Sequence, residues 1–210
     1  MEHIISRKKE IPSTVQVHGQ FTSPLHPKQP IPDREMIRPE AALLESMMEN
    51  EVKPFHRKSG NEVMIIYDLS QEVYYRHNDK NPELAKLAAS LFLFFSDLGY
   101  YLKIESQRLI PVVQDLIKKA KLSETGGYSV CRLINELRHE IQREHYSVID
   151  KLKYFRILTG DYRIPEGACK SYKLLFEKLK KFENDLVLYI HFENDRFFPL
   201  AIEMEKYFKK

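Results

Sequence analysis

The 210-residue chain carries 33 basic against 30 acidic residues, a net charge of +3, with 43% hydrophobic and 30% charged residues. Both signs are spread along the chain, so no basic face of the kind that nucleic acid requires stands out. Only 7 glycines occur, and no Asn-Gly or Asp-Gly hairpin signal separates β-branched runs, which points to helices rather than sheets.

Two cysteines, Cys131 and Cys169, can build no disulfide framework and form no CxxC motif, the usage of a reducing, cytoplasmic compartment. The opening residues hold no apolar core of a cleaved secretion signal, and no run of about 18 apolar residues predicts a membrane span. Six of the 11 prolines (Pro12, Pro24, Pro27, Pro30, Pro32, Pro39) fall in the first 40 residues, without apolar periodicity. That composition predicts an extended or disordered arm over 1–40, with a helical domain over 41–210.

A short helix is expected from Pro39 to about Glu51, with Leu43, Leu44, Met47 and Met48 as its apolar face. Segment A then runs from Pro54 to about Asn78, and a polar break supplies Asn81 as N-cap to Pro82. Segment B runs from Pro82 to about Lys119 with a seam of Leu84, Leu87, Leu91, Phe94 and Leu98. After Gly126 and Gly127, segment C aligns Val130, Ile134, Leu137, Ile141, Val148 and Leu152. Segment D, from near Pro165, aligns Tyr172, Leu175, Leu179, Phe182 and Leu186. Four amphipathic segments predict an all-α, antiparallel up-down-up-down four-helix bundle.

Continued by their own spacing, the seams change character. Segment B passes from Leu98 to Tyr101, Glu105 and Arg108, and segment D from Leu186 to Tyr189, Glu193 and Arg196. His145 interrupts the stripe of C, and His56 stands near the start of A. The two richer segments are copies: Asp97, Leu98, Tyr101, Glu105, Arg108 and Pro111 match Asp185, Leu186, Tyr189, Glu193, Arg196 and Pro199 at an offset of 88, while His56 and His145 differ by 89. Two helical hairpins related by a pseudo-twofold axis are implied. Each Tyr–Glu pair shares a helix face at i and i+4 and so presents two oxygens to one spot. Buried carboxylates cost several kcal/mol each unless compensated. Two metal ions would compensate them, and so would the two arginines.

These residues resemble the hemerythrin-like HHE cation-binding superfamily, and within it the di-iron proteins associated with iron–sulfur cluster repair. Pro165 to Tyr172 resembles that family's P-x-x-A-C-x-x-Y/W run, and Asp185 to Pro199 its closing D-L-x-x-H-I-x-L-E-N-N-x-L-F-P helix. Glu144-His145 resembles its E-H pair and Phe55-His56 its Y-H. The resemblance spans roughly residues 54 to 205. It implies that His56, His145, Glu105 and Glu193 are metal ligands with the glutamates bridging. The family's other two histidines fall at Tyr101 and Tyr189, and its cysteine-bearing N-terminal domain has no counterpart here. His77 also matches a family histidine, but 21 residues from His56 correspond to about 31 Å of continuous helix.

Ligation by Tyr101 and Tyr189 as phenolates would favour ferric iron. The resemblance then implies two iron ions in an oxo-bridged centre, with other divalent metals as substitutes. The expected role is redox or nitrosative stress response or iron handling, with O2, NO or peroxide as small partners. The alternative is a metal-free bundle that binds an anion or a protein, with Arg108 and Arg196 pairing the glutamates at i and i+3. Asp97 and Asp185 share the Tyr–Glu face one turn earlier, as supporting partners or further carboxylate ligands. His191, His139 and Glu144 read as surface or edge residues, and both cysteines as small packing residues.

Overall fold

The computed structural model describes residues 37–122 and 133–208. The expected arm up to residue 36, together with Gly126, Gly127, Val130 and Cys131, lies outside the described residues. Ile37–Glu40, read as part of the arm, already belong to the first helix.

Among the described residues, seven α-helices and three π-turns form four rods. The first joins α1 (Ile37–Met47), a π-turn (Met48–Val52) and α2 (Lys53–His77); the second joins α3 (Glu83–Ile104), a π-turn (Glu105–Leu109) and α4 (Ile110–Leu122). The third is α5 (Leu133–Leu158) alone. The fourth joins α6 (Lys170–Phe192), a π-turn (Glu193–Phe197) and α7 (Phe198–Tyr207). The first rod packs between the second and fourth, and α5 packs against the same two, so the rods form the expected four-helix bundle.

The core follows the stripes read from the sequence. Leu84, Leu87, Leu91, Phe94 and Leu98 are buried from the second rod, Ile134, Leu137, Ile141, Val148 and Leu152 from α5, and Tyr172, Leu175, Leu179, Phe182 and Leu186 from α6. On α1 and the first residue of its π-turn, Leu44, Met47 and Met48 are buried, but Leu43 is exposed and Ala41 takes its place in the core.

Three local expectations are corrected. The short helix and segment A are one rod, because Pro54 is absorbed by the π-turn before it. Asn81 is no side-chain cap: its Nδ2 donates back to the His77 carbonyl at 3.3 Å, and its own carbonyl accepts from Leu84 N–H at 3.0 Å. The last rod starts at Lys170 rather than near Pro165, because Gly167 takes φ +76° and Cys169 is extended at ψ 172°.

All three π-turns share one cause. Each spans the residues six to two positions before a proline: Pro54, Pro111 and Pro199. Proline lacks an N–H, and its ring crowds the carbonyl four residues back. The helix relieves this by widening one turn, so that Lys53, Ile110 and Phe198 each donate their N–H five residues back, to Met48, Glu105 and Glu193.

Candidate metal centre

Each rod brings its ionisable residues to mid-length. Because the first rod starts at Ile37, His56 stands near its middle rather than its start, level with Tyr101 and Glu105, His145, and Tyr189 and Glu193. The π-turns of the second and fourth rods begin at the two glutamates themselves. A widened turn holds one more residue, so the seam now steps by four, from Glu105 to Leu109 and Val113, and from Glu193 to Phe197 and Ala201. All of these are buried. Arg108 and Arg196, three positions on, are thereby turned outward.

The six donors meet in one cluster. His56 Nε2 lies 2.7 Å from Glu105 Oε2, and Tyr189 Oη lies 3.3 Å from His56 Nε2 and 3.1 Å from Glu105 Oε2. On the other side, Tyr101 Oη donates to Glu193 Oε2 at 2.6 Å, and His145 Nε2 lies 3.0 Å from Tyr101 Oη and 3.1 Å from Glu193 Oε2. Tyr189 Oη joins the halves, 3.2 Å from Glu193 Oε1. Phe55 lies flat on the Tyr189 ring, with centroids 3.8 Å apart, and seals that side.

Both glutamates are fully buried. Burial, and then the neighbouring Glu193 carboxylate, push Glu105 well above the ordinary carboxylate range. Tyr101 and Tyr189 are held far above the usual phenol range by burial and then by the two carboxylates, and burial lowers His56, which stays neutral.

This set suits a metal. Glu105 Oε1 is buried and, among the described residues, has no hydrogen-bond partner. Donor atoms of Glu105, His145 and Glu193 lie within 4.8 Å of one another. Carboxylate, phenol and imidazole donors match iron, manganese or zinc better than softer ions.

The remaining sequence candidates lie elsewhere. Arg108 forks onto Glu140 of α5 at 2.7 and 2.8 Å, and Arg196 covers the Phe192 ring at 5.8 Å, so neither pairs with a cluster glutamate. Asp97 bonds Lys151, while Asp185 bonds Lys58 at 2.6 Å and Lys181 at 3.1 Å. The Lys151 and Lys58 bridges join neighbouring rods at the surface, the Lys181 bridge stays within α6, and none reaches the cluster. His77 ends the unbroken α2, where its Nε2 meets Cys169 Sγ at 3.0 Å at the start of α6. His139 and His191 are exposed and Glu144 half-buried, as read from the sequence. Asn194 and Gln142 went unnoticed: Asn194 Nδ2 lies 3.3 Å from His145 Nδ1, and Gln142 Nε2 donates to Asn194 Oδ1 at 3.2 Å. Their signal was available, since Asn194 follows Glu193 directly and Gln142 sits one turn before His145.

No protein-family profile matches the chain. It is similar to the iron–sulfur cluster repair proteins YtfE of Musicola paradisiaca, 27% identical over 79% of this chain and 68% of the relative, and of Dickeya chrysanthemi, 26% identical over 78% and 68%. A probable iron–sulfur cluster repair protein of Haemophilus influenzae is 24% identical over 74% of this chain and 64% of its own length. The chain thus spans about two thirds of these curated relatives. Together with the helical bundle, they bear out the resemblance to hemerythrin-like iron–sulfur cluster repair proteins.

Proposed function

We propose that this hemerythrin-like relative of the iron–sulfur cluster repair proteins holds two metal ions, iron foremost, in the middle of its bundle. On this reading His56, Tyr189 and Glu105 ligate one ion and His145, Tyr101 and Glu193 the other, with the glutamates shared between them. The carrying observation is the pair of fully buried carboxylates converging from duplicated helices with one oxygen, Glu105 Oε1, left without a donor. An uncompensated buried acceptor costs about 1–3 kcal/mol, and a cation removes that cost.

A bound iron pair would supply a redox-active centre open to small oxidants such as O2, NO or peroxide. The chain's own residues set the terms. Tyr101 and Tyr189 give up their protons when they ligate, and as phenolates they favour the ferric state. Phe55 keeps water from the Tyr189 ring, while His56, 15% exposed against 3% for His145, marks the side nearer to solvent. The role that fits is cytoplasmic stress-linked redox or iron handling related to cluster repair.

A second reading, a metal-free bundle, draws on the hydrogen bonds that already satisfy most of the cluster. Its use of Arg108 and Arg196 as partners of the glutamates loses support, because these side chains engage Glu140 and Phe192. Elemental analysis after iron-replete expression separates the two. About two irons per chain, lost together in Glu105→Ala or Glu193→Ala, is expected; absence of metal even after reconstitution favours the metal-free bundle.

A further inference from the structure

The two halves of the cluster are duplicated in their donors but not in what stands behind them. Behind His145, Asn194 Nδ2 lies 3.3 Å from Nδ1, and Gln142 Nε2 donates to Asn194 Oδ1 at 3.2 Å. Among the described residues no such pair stands behind His56. The position matching Asn194 at the offset of 88 is Ser106, exposed, whose Oγ donates to the Lys103 carbonyl at 3.1 Å. The position matching Gln142, three before the histidine, is Lys53, which bonds Glu49.

The direction of the His145 chain decides where the ring proton sits. Asn194 offers an N–H to Nδ1, so Nδ1 accepts and Nε2, facing Tyr101 Oη and Glu193 Oε2, is the nitrogen left to carry a ring proton. A metal on Nε2 needs that lone pair free, which leaves Nδ1 as the nitrogen that carries a ring proton. Asn194 must then present Oδ1 instead. A half-turn of an amide exchanges its oxygen and nitrogen without changing its shape, and a matching half-turn of Gln142 lets Asn194 Nδ2 donate to Gln142 Oε1. Every donation along the chain reverses, and no hydrogen bond is lost.

We propose that Asn194 and Gln142 form a two-amide relay that sets which nitrogen of His145 carries the proton, and that its reversal on metal uptake makes the His145 position the tighter of two unequal metal positions. Asn194 acts through His145 and is a positioning residue. The inference rests on the di-metal reading and adds an order of filling: the His145 position fills first, and the His56 position, nearer to solvent and unsupported, fills second and exchanges faster. Partners behind metal-bound histidines typically change affinity about 10–100-fold.

The test uses the full chain with Zn2+ as a diamagnetic probe. In histidine 15N spectra, the metal-free protein is expected to show His145 protonated at Nε2 and the Zn2+-loaded protein at Nδ1. Calorimetric titration is expected to resolve two steps, with Asn194→Leu weakening the tighter one about 10–100-fold and leaving the other. Asn194→Asp, which can only accept from Nδ1–H, should bind at least as tightly as wild type and separates positioning from a folding defect. An Nδ1–H ring in the metal-free protein, or an Asn194→Leu titration matching wild type, overturns the relay while leaving the di-metal reading intact. Failure of the wild-type chain to take up either Zn2+ or Fe2+ overturns both.

Discussion

Tyr101 and Glu193, 92 positions apart, meet at 2.6 Å, with neither side chain open to solvent. The phenol donates its proton to a buried carboxylate that would otherwise need a cation. That contact satisfies the buried carboxylate within the protein, and a metal bound at Glu193 and Tyr101 would have to displace its proton. Tyr189 does the same from the other half, since its hydroxyl reaches both Glu105 and Glu193.

Removing these hydroxyls should therefore affect the metal-free and the loaded protein differently. Tyr101→Phe strips the metal-free cluster of a short buried hydrogen bond, an expected loss of about 1–3 kcal/mol in urea denaturation. In an iron-loaded protein, phenolate ligation as proposed would give a visible absorption band. The band should weaken in either single Phe variant and vanish in the double. Undiminished colour in the double variant would remove both tyrosines from the ligand set.

Replacing Tyr101 and Tyr189 together by His restores the pattern of the family that the chain resembles. Two anionic oxygens give way to neutral nitrogens, which lowers the preference for ferric iron. The midpoint potential of the loaded variant, followed by spectroscopic redox titration, should rise relative to wild type. An unchanged or lower potential would mean that the tyrosines do not tune the metal.

The bundle and its centre were legible to different depths. Stripes such as Leu84–Leu87–Leu91 show a helix face because burial repeats every three to four residues, and the Tyr–Glu copies at an offset of 88 exposed the site. The π-turns were not read, although their signal is in the chain: Pro111 and Pro199 recur in the repeat, and Pro54 precedes His56 by two. A strict 3.6-residue period carries the seam from Glu105 to Arg108, whereas the widened turn carries it to Leu109. That one residue decides whether arginine or metal neutralises the glutamates. Asp97 and Asp185 were drawn toward the site by the same face argument, but lysines on neighbouring rods hold them at the surface. Such cross-rod partners are set by packing and leave no periodic trace.

The α5–α6 connection has its own buried charge. Gly160, Asp161 and Tyr162 all adopt positive φ, and the turn is tied by Tyr162 Oη to Glu183 at 2.5 Å and by Arg156 Nε to Glu183 at 2.5 Å. Arg156→Ala leaves the buried Glu183 with only the tyrosine. Because Arg156 is 39% exposed, the expected loss is discounted to about 1–2 kcal/mol. Adding Glu183→Gln should recover part of it in thermal melts; a double variant no more stable than Arg156→Ala would place the cost in lost packing instead.

Stability of the metal-free protein should fall with rising pH because of Glu105. The folded protein holds this proton more tightly than the unfolded chain does, through burial first and then Glu193. The stabilisation is full below the unfolded value of about 4.3 and is lost as pH rises through the higher folded value. Glu105→Gln keeps a neutral side chain at every pH. Wild-type stability relative to this variant, from urea denaturation as pH is raised above about 5, should decline. Metal reverses the sign, because Glu105, Tyr101 and Tyr189 must all lose protons to ligate. The melting-temperature gain from saturating Zn2+ should thus widen over the same range. A gain that narrows with pH would mean that metal enters without displacing these protons, and so does not bind at this cluster.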